Sequence, residues 1–119
     1  MKRRSGPAAL LGALLAACGP PVRPAIPFRV EQTAVGSVTR LTLIASPGFK
    51  VNARLPPALE LPDGHVVHFA GAELTVDSAY YAIPPTAIIA GAGAPVRGTL
   101  RASVCAVDER YCRSVVIRL

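Results

Sequence analysis

Proline and glycine interrupt this chain too often for long helices to form. Twelve prolines and ten glycines are spread over 119 residues. Proline removes a helical hydrogen bond and clashes with the preceding turn, and glycine costs a helix about 1 kcal/mol relative to alanine. An all-helical bundle and a doubly wound nucleotide-binding fold are therefore excluded. The length suits one small domain and excludes a large multidomain enzyme.

The first eighteen residues read as an export signal. Lys2, Arg3 and Arg4 precede the apolar run Ala8-Ala9-Leu10-Leu11-Gly12-Ala13-Leu14-Leu15, which is shorter than the ~20 residues of a stable membrane span. The junction Leu15-Ala16-Ala17-Cys18 resembles the bacterial lipobox, in which small residues fit the signal peptidase and the cysteine thiol accepts the lipid. Residues 1–17 are thus expected to be a lipoprotein signal peptide and Cys18 the lipidated first residue of a protein on the periplasmic face of a bacterial membrane. Gly19 stands where an inner-membrane retention signal would place Asp, which points to the outer membrane. Removing the leader also halves the formal charge of +6, because three of the basic residues leave with it.

Residues 18–27 carry four prolines after the cysteine and form an extended, semi-rigid tether of about 3 Å per residue. From Phe28 onward the hydrophobic pattern has period two. In Phe49-Lys50-Val51-Asn52-Ala53-Arg54-Leu55 the apolar residues would share one face of a half-buried strand and the polar residues the other. Similar strands are expected over 28–33, 38–45, 58–61, 66–69, 74–76, 81–89, 96–107 and 110–119. Turn signals such as Gly36-Ser37, Ser46-Pro47-Gly48, Pro62-Asp63-Gly64 and Gly91-Ala92-Gly93 stand between them. Short strands with regular punctuation predict an all-β fold, an immunoglobulin-like antiparallel β-sandwich over residues 28–119.

The segment 98–119 also matches an amphipathic helix through Leu100, Val104, Val107, Tyr111 and Val115. Strands are favoured because Thr99, Ser103, Val104, Val115, Val116 and Ile117 suit them better. A hairpin turning at Val107-Asp108-Glu109-Arg110, with Ala106 facing Tyr111, sets Leu100 opposite Ile117, Ala102 opposite Val115 and Cys105 opposite Cys112. The two thiols then share a face with Cβ atoms ~4.5–5.5 Å apart, close enough to bond with modest adjustment. On a helix they would lie ~10 Å apart along the axis. Export leaves Cys105 and Cys112 as a pair in an oxidising compartment. Two uses remain open for that pair: a permanent staple in a noncatalytic binding or structural lipoprotein, or an accessible redox couple. A ring of eight residues restricts the unfolded chain by only about 2.5 kcal/mol, which makes it an inefficient staple.

From about Val38 to Leu119 the chain resembles the N-terminal periplasmic domain of the thiol:disulfide interchange protein DsbD. The resemblance rests on Phe49-Lys50-Val51-Asn52-Ala53 followed by Pro56-Pro57, on Leu61-Pro62-Asp63-Gly64, and above all on Gly98-Thr99-Leu100-Arg101-Ala102-Ser103-Val104-Cys105 with Cys112 after it. It implies an immunoglobulin-like domain with a redox disulfide on adjacent strands, Cys112 attacking and Cys105 resolving, and a thioredoxin-like periplasmic partner. It also implies a short cap loop whose aromatic residue shields the disulfide, a role carried here by Phe69, although a core position suits Phe69 equally. The chain departs from the family in the six residues between the cysteines and in ending without the transmembrane and thioredoxin-like segments.

No cofactor is expected. His65 and His68 stand three apart in a strand or turn, where alternation sends them to opposite faces, so no metal site is expected either. Arg97, Arg101, Arg110, Arg113 and Arg118 read as a solvated sheet face. An exported chain with few stacking aromatics does not suit nucleic acid. Gly91-Ala92-Gly93 opens onto Pro95 and a strand, not onto the helix that a phosphate loop requires.

Overall fold

The computed structural model describes residues 26–108 and 111–119. The expected signal peptide 1–17, the expected lipidation site Cys18, most of the expected tether, and Glu109 and Arg110 lie outside the described residues. Eight strands follow in order: β1 (Phe28–Val35), β2 (Val38–Ala45), β3 (Phe49–Val51), β4 (Ala58–Glu60), β5 (Val66–His68), β6 (Thr86–Ala90), β7 (Thr99–Ala106) and β8 (Cys112–Arg118). No helix occurs among the described residues. The fold is all-β, an immunoglobulin-like sandwich of two antiparallel sheets.

One sheet has the order β1-β2-β6. Its first hairpin turns at Gly36, whose positive φ of 61° suits the first position of a two-residue hairpin loop. The second sheet is built around β7. One edge of β7 pairs with β8 along the strand's length. The other edge is shared, β3 taking Val104–Ala106 and β4 taking Thr99–Arg101, with β5 beyond β4.

Alternation along β7 sends Leu100, Ala102 and Val104 inward, where they meet Leu41 and Leu43 of β2, Ala87 of β6, Val51 of β3 and Leu59 of β4 in one buried cluster. Leu59 and Leu100 are register partners, and neither has solvent exposure. Each such leucine contributes about 1.5–3 kcal/mol of burial free energy. Gly98 lies where β4 closes on β7. Its φ is 154°, and a Cβ there would run into the Glu60 carbonyl oxygen and the Leu59 side chain.

The structure shortens several expected strands. β3 stops at Val51 because Asn52 turns the chain: its Oδ1 accepts a hydrogen bond from the Arg54 amide at 2.9 Å, an Asx turn. Leu55, expected to face inward, is consequently 60% exposed. The chain then loops out through Pro56 and returns to the same edge of β7 as β4. Residues 74–76 form no strand of their own; Leu74 makes one isolated bridge to Tyr81. β6 begins only at Thr86, after Pro84 and Pro85, whose missing amide donors do not suit a ladder. The 98–119 segment is the expected hairpin rather than a helix, with Cys105 opposite Cys112, Ala102 opposite Val115 and Leu100 opposite Ile117.

Candidate redox disulfide on the outer face

Because Leu100, Ala102 and Val104 face the core, Arg101, Ser103 and Cys105 face outward. Cys105 and Cys112 are joined by a disulfide with their Cα atoms 4.0 Å apart, close to the tight spacing of a non-hydrogen-bonded antiparallel pair. The two half-cystines are in different surroundings. Cys105 is only 3% exposed, whereas Cys112, on the edge strand β8, is exposed. The pair is therefore not open to solvent on both sides, as an outward-facing hairpin alone would suggest.

β3 and the segment after β5 supply the neighbours of the disulfide on this face. Lys50 of β3 is the register partner of Cys105 on the side opposite β8, so Lys50, Cys105 and Cys112 form a row across three strands of the outer face. Tyr80 lies over Lys50, with the ammonium nitrogen 5.2 Å from the ring centroid. These residues, with Ala106, Val107 and Tyr111, line a recess of about 230 Å³ whose wall includes the disulfide. Tyr80 reaches this place through backbone pairing: Asn52 bridges Tyr80, the Ala53 amide donates to Ala79 O at 2.8 Å and the Tyr81 amide to Val51 O at 3.2 Å. Beside it, Asn52 Nδ2 donates to Ser103 Oγ at 3.2 Å, which occupies the otherwise buried hydroxyl of the neighbouring outer-face position on β7.

The turn presenting Tyr80 is organised by one carboxylate. Asp77 Oδ1 accepts from Thr75 Oγ1 at 2.7 Å and from the Ala79 amide at 3.1 Å, while Ser78 adopts a positive φ of 59°. The Thr75 hydroxyl and the Ala79 amide hold the Asp77 carboxyl below its ordinary pKa, because both bonds favour the charged form. Tyr81, next to Tyr80, packs against the core, and burial pushes its phenol pKa up.

Phe69, for which the resemblance implies the cap role and the strand pattern a core position, is 2% exposed and belongs to the core cluster. Its amide donates to Pro57 O at 2.9 Å, and the ring is not among the residues around the disulfide recess. Its place in sequence, one residue after β5, keeps it on the inward side; Tyr80 and Tyr111 are the aromatic residues beside the sulfurs. Sequence alone does not mark Lys50 or Tyr80 as site residues. Alternation places Lys50 on a polar strand face, and only the pairing of β3 with β7 identifies that face with the one carrying the cysteines.

His65 pairs with its neighbour Asp63, Nδ1 to Oδ2 at 2.9 Å, and His65 holds the Asp63 carboxyl below its ordinary pKa. Among the described residues no three His, Cys, Asp or Glu side chains gather in a way that could hold a metal ion. No family model matches the chain, and no curated protein or solved structure matches it.

Proposed function

We propose that this chain is a lipid-anchored periplasmic domain that takes part in thiol:disulfide exchange through Cys105 and Cys112. The observation that carries the reading is the asymmetry of the disulfide: one sulfur-bearing residue is exposed on an edge strand and the other is covered beside a recess. An attacking thiolate needs an approach to one sulfur and a leaving group on the other, and this arrangement supplies both. Cys112 is the sulfur that exchanges with a partner; Cys105 is released when a dithiol partner opens the disulfide, and in the opposite direction it resolves the mixed disulfide that a reduced Cys112 forms with a disulfide partner. The resemblance of 98–112 to the DsbD N-terminal domain supports the same assignment, and the leader ending at Cys18 supports export and lipid attachment. The partner in this reading is a thioredoxin-like periplasmic protein. No cofactor takes part, because the electrons move between sulfur atoms.

A second reading, a permanent staple in a binding or structural lipoprotein, draws on the burial of Cys105. The reduction potential separates the two. Exchange predicts a potential above about −300 mV and reduction by a thioredoxin-type dithiol; a lower value with no exchange means a structural bond. In the same experiment the Cys105→Ser variant, which keeps the Cys112 thiol, should accumulate a mixed disulfide with the oxidised dithiol protein. The Cys112→Ser variant should accumulate far less.

A further inference from the structure

Lys50 carries a charge that no acidic side chain among the described residues neutralises. Among those residues it forms no salt bridge, and its ammonium lies against the Tyr80 ring, which holds it in place without cancelling its charge. Its register partner is Cys105. Directly opposed residues of an antiparallel pair share a face with Cβ atoms about 4.5–5.5 Å apart, so a long lysine side chain can reach the Cys105 sulfur across the recess they both line.

We propose that Lys50 is an electrostatic positioning residue for the exchange reaction, stabilising the Cys105 thiolate and so making the disulfide both easier to open and more oxidising. This inference rests on the exchange reading above. The partner is a dithiol protein of the thioredoxin class. Its first thiolate attacks Cys112 Sγ; a partner–Cys112 S–S bond forms as the Cys105–Cys112 bond breaks, and the electron pair of the broken bond leaves on Cys105 Sγ. The partner's second thiolate then attacks the partner sulfur of the mixed disulfide, releasing Cys112 as a thiolate. The partner ends oxidised by two electrons, and the Cys105/Cys112 pair ends reduced by two.

The need for a nearby cation follows from burial. Cys105 is almost completely covered, and a thiolate withdrawn from water is disfavoured, which slows its departure as a leaving group. The Lys50 ammonium replaces part of the lost solvation. It acts on the resolving sulfur and not on the exposed one, so its effect falls on the opening of the disulfide and on the redox equilibrium.

The test compares wild type, Lys50→Met and Lys50→Arg in glutathione redox buffers, with oxidised and reduced forms separated by alkylation mass shift. The thiolates of the reduced proteins are titrated by absorbance at 240 nm. Lys50→Met should shift the equilibrium toward the disulfide by about threefold, the size a charge pair with one exposed partner supports, or about 14 mV at 29.6 mV per tenfold change. It should also raise the pKa of one thiol and slow opening by dithiothreitol. Lys50→Arg should keep wild-type values, and added salt should shrink the difference between wild type and Lys50→Met. Wild-type exchange with equal values for Lys50→Met, or equal shifts in both variants, overturns the role of Lys50 and leaves the exchange reading standing. A wild-type disulfide that neither glutathione nor a thioredoxin-type dithiol reduces overturns the exchange reading, and the role of Lys50 with it.

Discussion

Cys105 and Cys112 are bonded to each other, yet Cys105 is buried beside a recess it shares with Lys50 and Tyr80 while Cys112 stands exposed on the edge strand β8. The difference arises because β7 is paired on both edges and β8 on one. After gentle reduction, iodoacetamide should label Cys112 at least tenfold faster than Cys105. Peptide mass spectrometry at early times reads the ratio, and equal labelling would contradict the asymmetry.

The disulfide joins strands that are already hairpin neighbours, so it should contribute only modestly to stability. Urea unfolding with and without a reductant should differ by about 2.5 kcal/mol, as expected for a ring of eight residues. The reduced protein should keep its strand signal in circular dichroism, because the aliphatic core between the sheets does not involve the sulfurs.

Gly98→Ala should destabilise the domain by roughly 2–4 kcal/mol. The backbone there has a φ of 154°, and a new Cβ would press on the Glu60 carbonyl and the Leu59 side chain; such strain at a close backbone approach belongs to the large class of single-residue effects. The equivalent change at exposed Gly93, where a Cβ meets nothing within 4 Å, would carry only the penalty of its positive φ. Chemical denaturation of both variants makes the comparison.

Phe69 and Tyr80 should separate cleanly by substitution. Phe69→Ala removes a core ring and should cost about 3–5 kcal/mol without changing the relative reactivity of the sulfurs. Tyr80→Ala should cost much less, since its ring is only partly buried, and should speed reduction of the disulfide by a phosphine several-fold.

The turn carrying Tyr80 should loosen in acid. The Asp77 carboxyl lies below its ordinary value of 3.8 in the folded protein. Its contribution is therefore fully present above that value and is lost as pH falls through the lower, folded one. Thermal unfolding of wild type between pH 5 and pH 2.5 should fall more steeply than that of Asp77→Asn. Parallel curves would show that the carboxylate does not hold the turn.

Period-two patterning and turn residues were enough to identify the all-β class, the two-sheet sandwich and the register of the C-terminal hairpin. These are local properties: alternation is a consequence of the pleat, and a hairpin joins residues already close in the chain. Sequence could not show where β3 ends, because the Asx turn at Asn52 competes with a pattern that continues to Leu55. Nor could it assign Phe69 between cap and core, since both uses call for a large apolar residue. The roles of Lys50 and Tyr80 depend on β3 and residues 79–81 meeting β7 and each other across more than twenty residues of chain. Such non-local pairing leaves no periodic trace in the sequence, so only the tertiary structure brings the lysine to the buried sulfur and leaves its partner exposed.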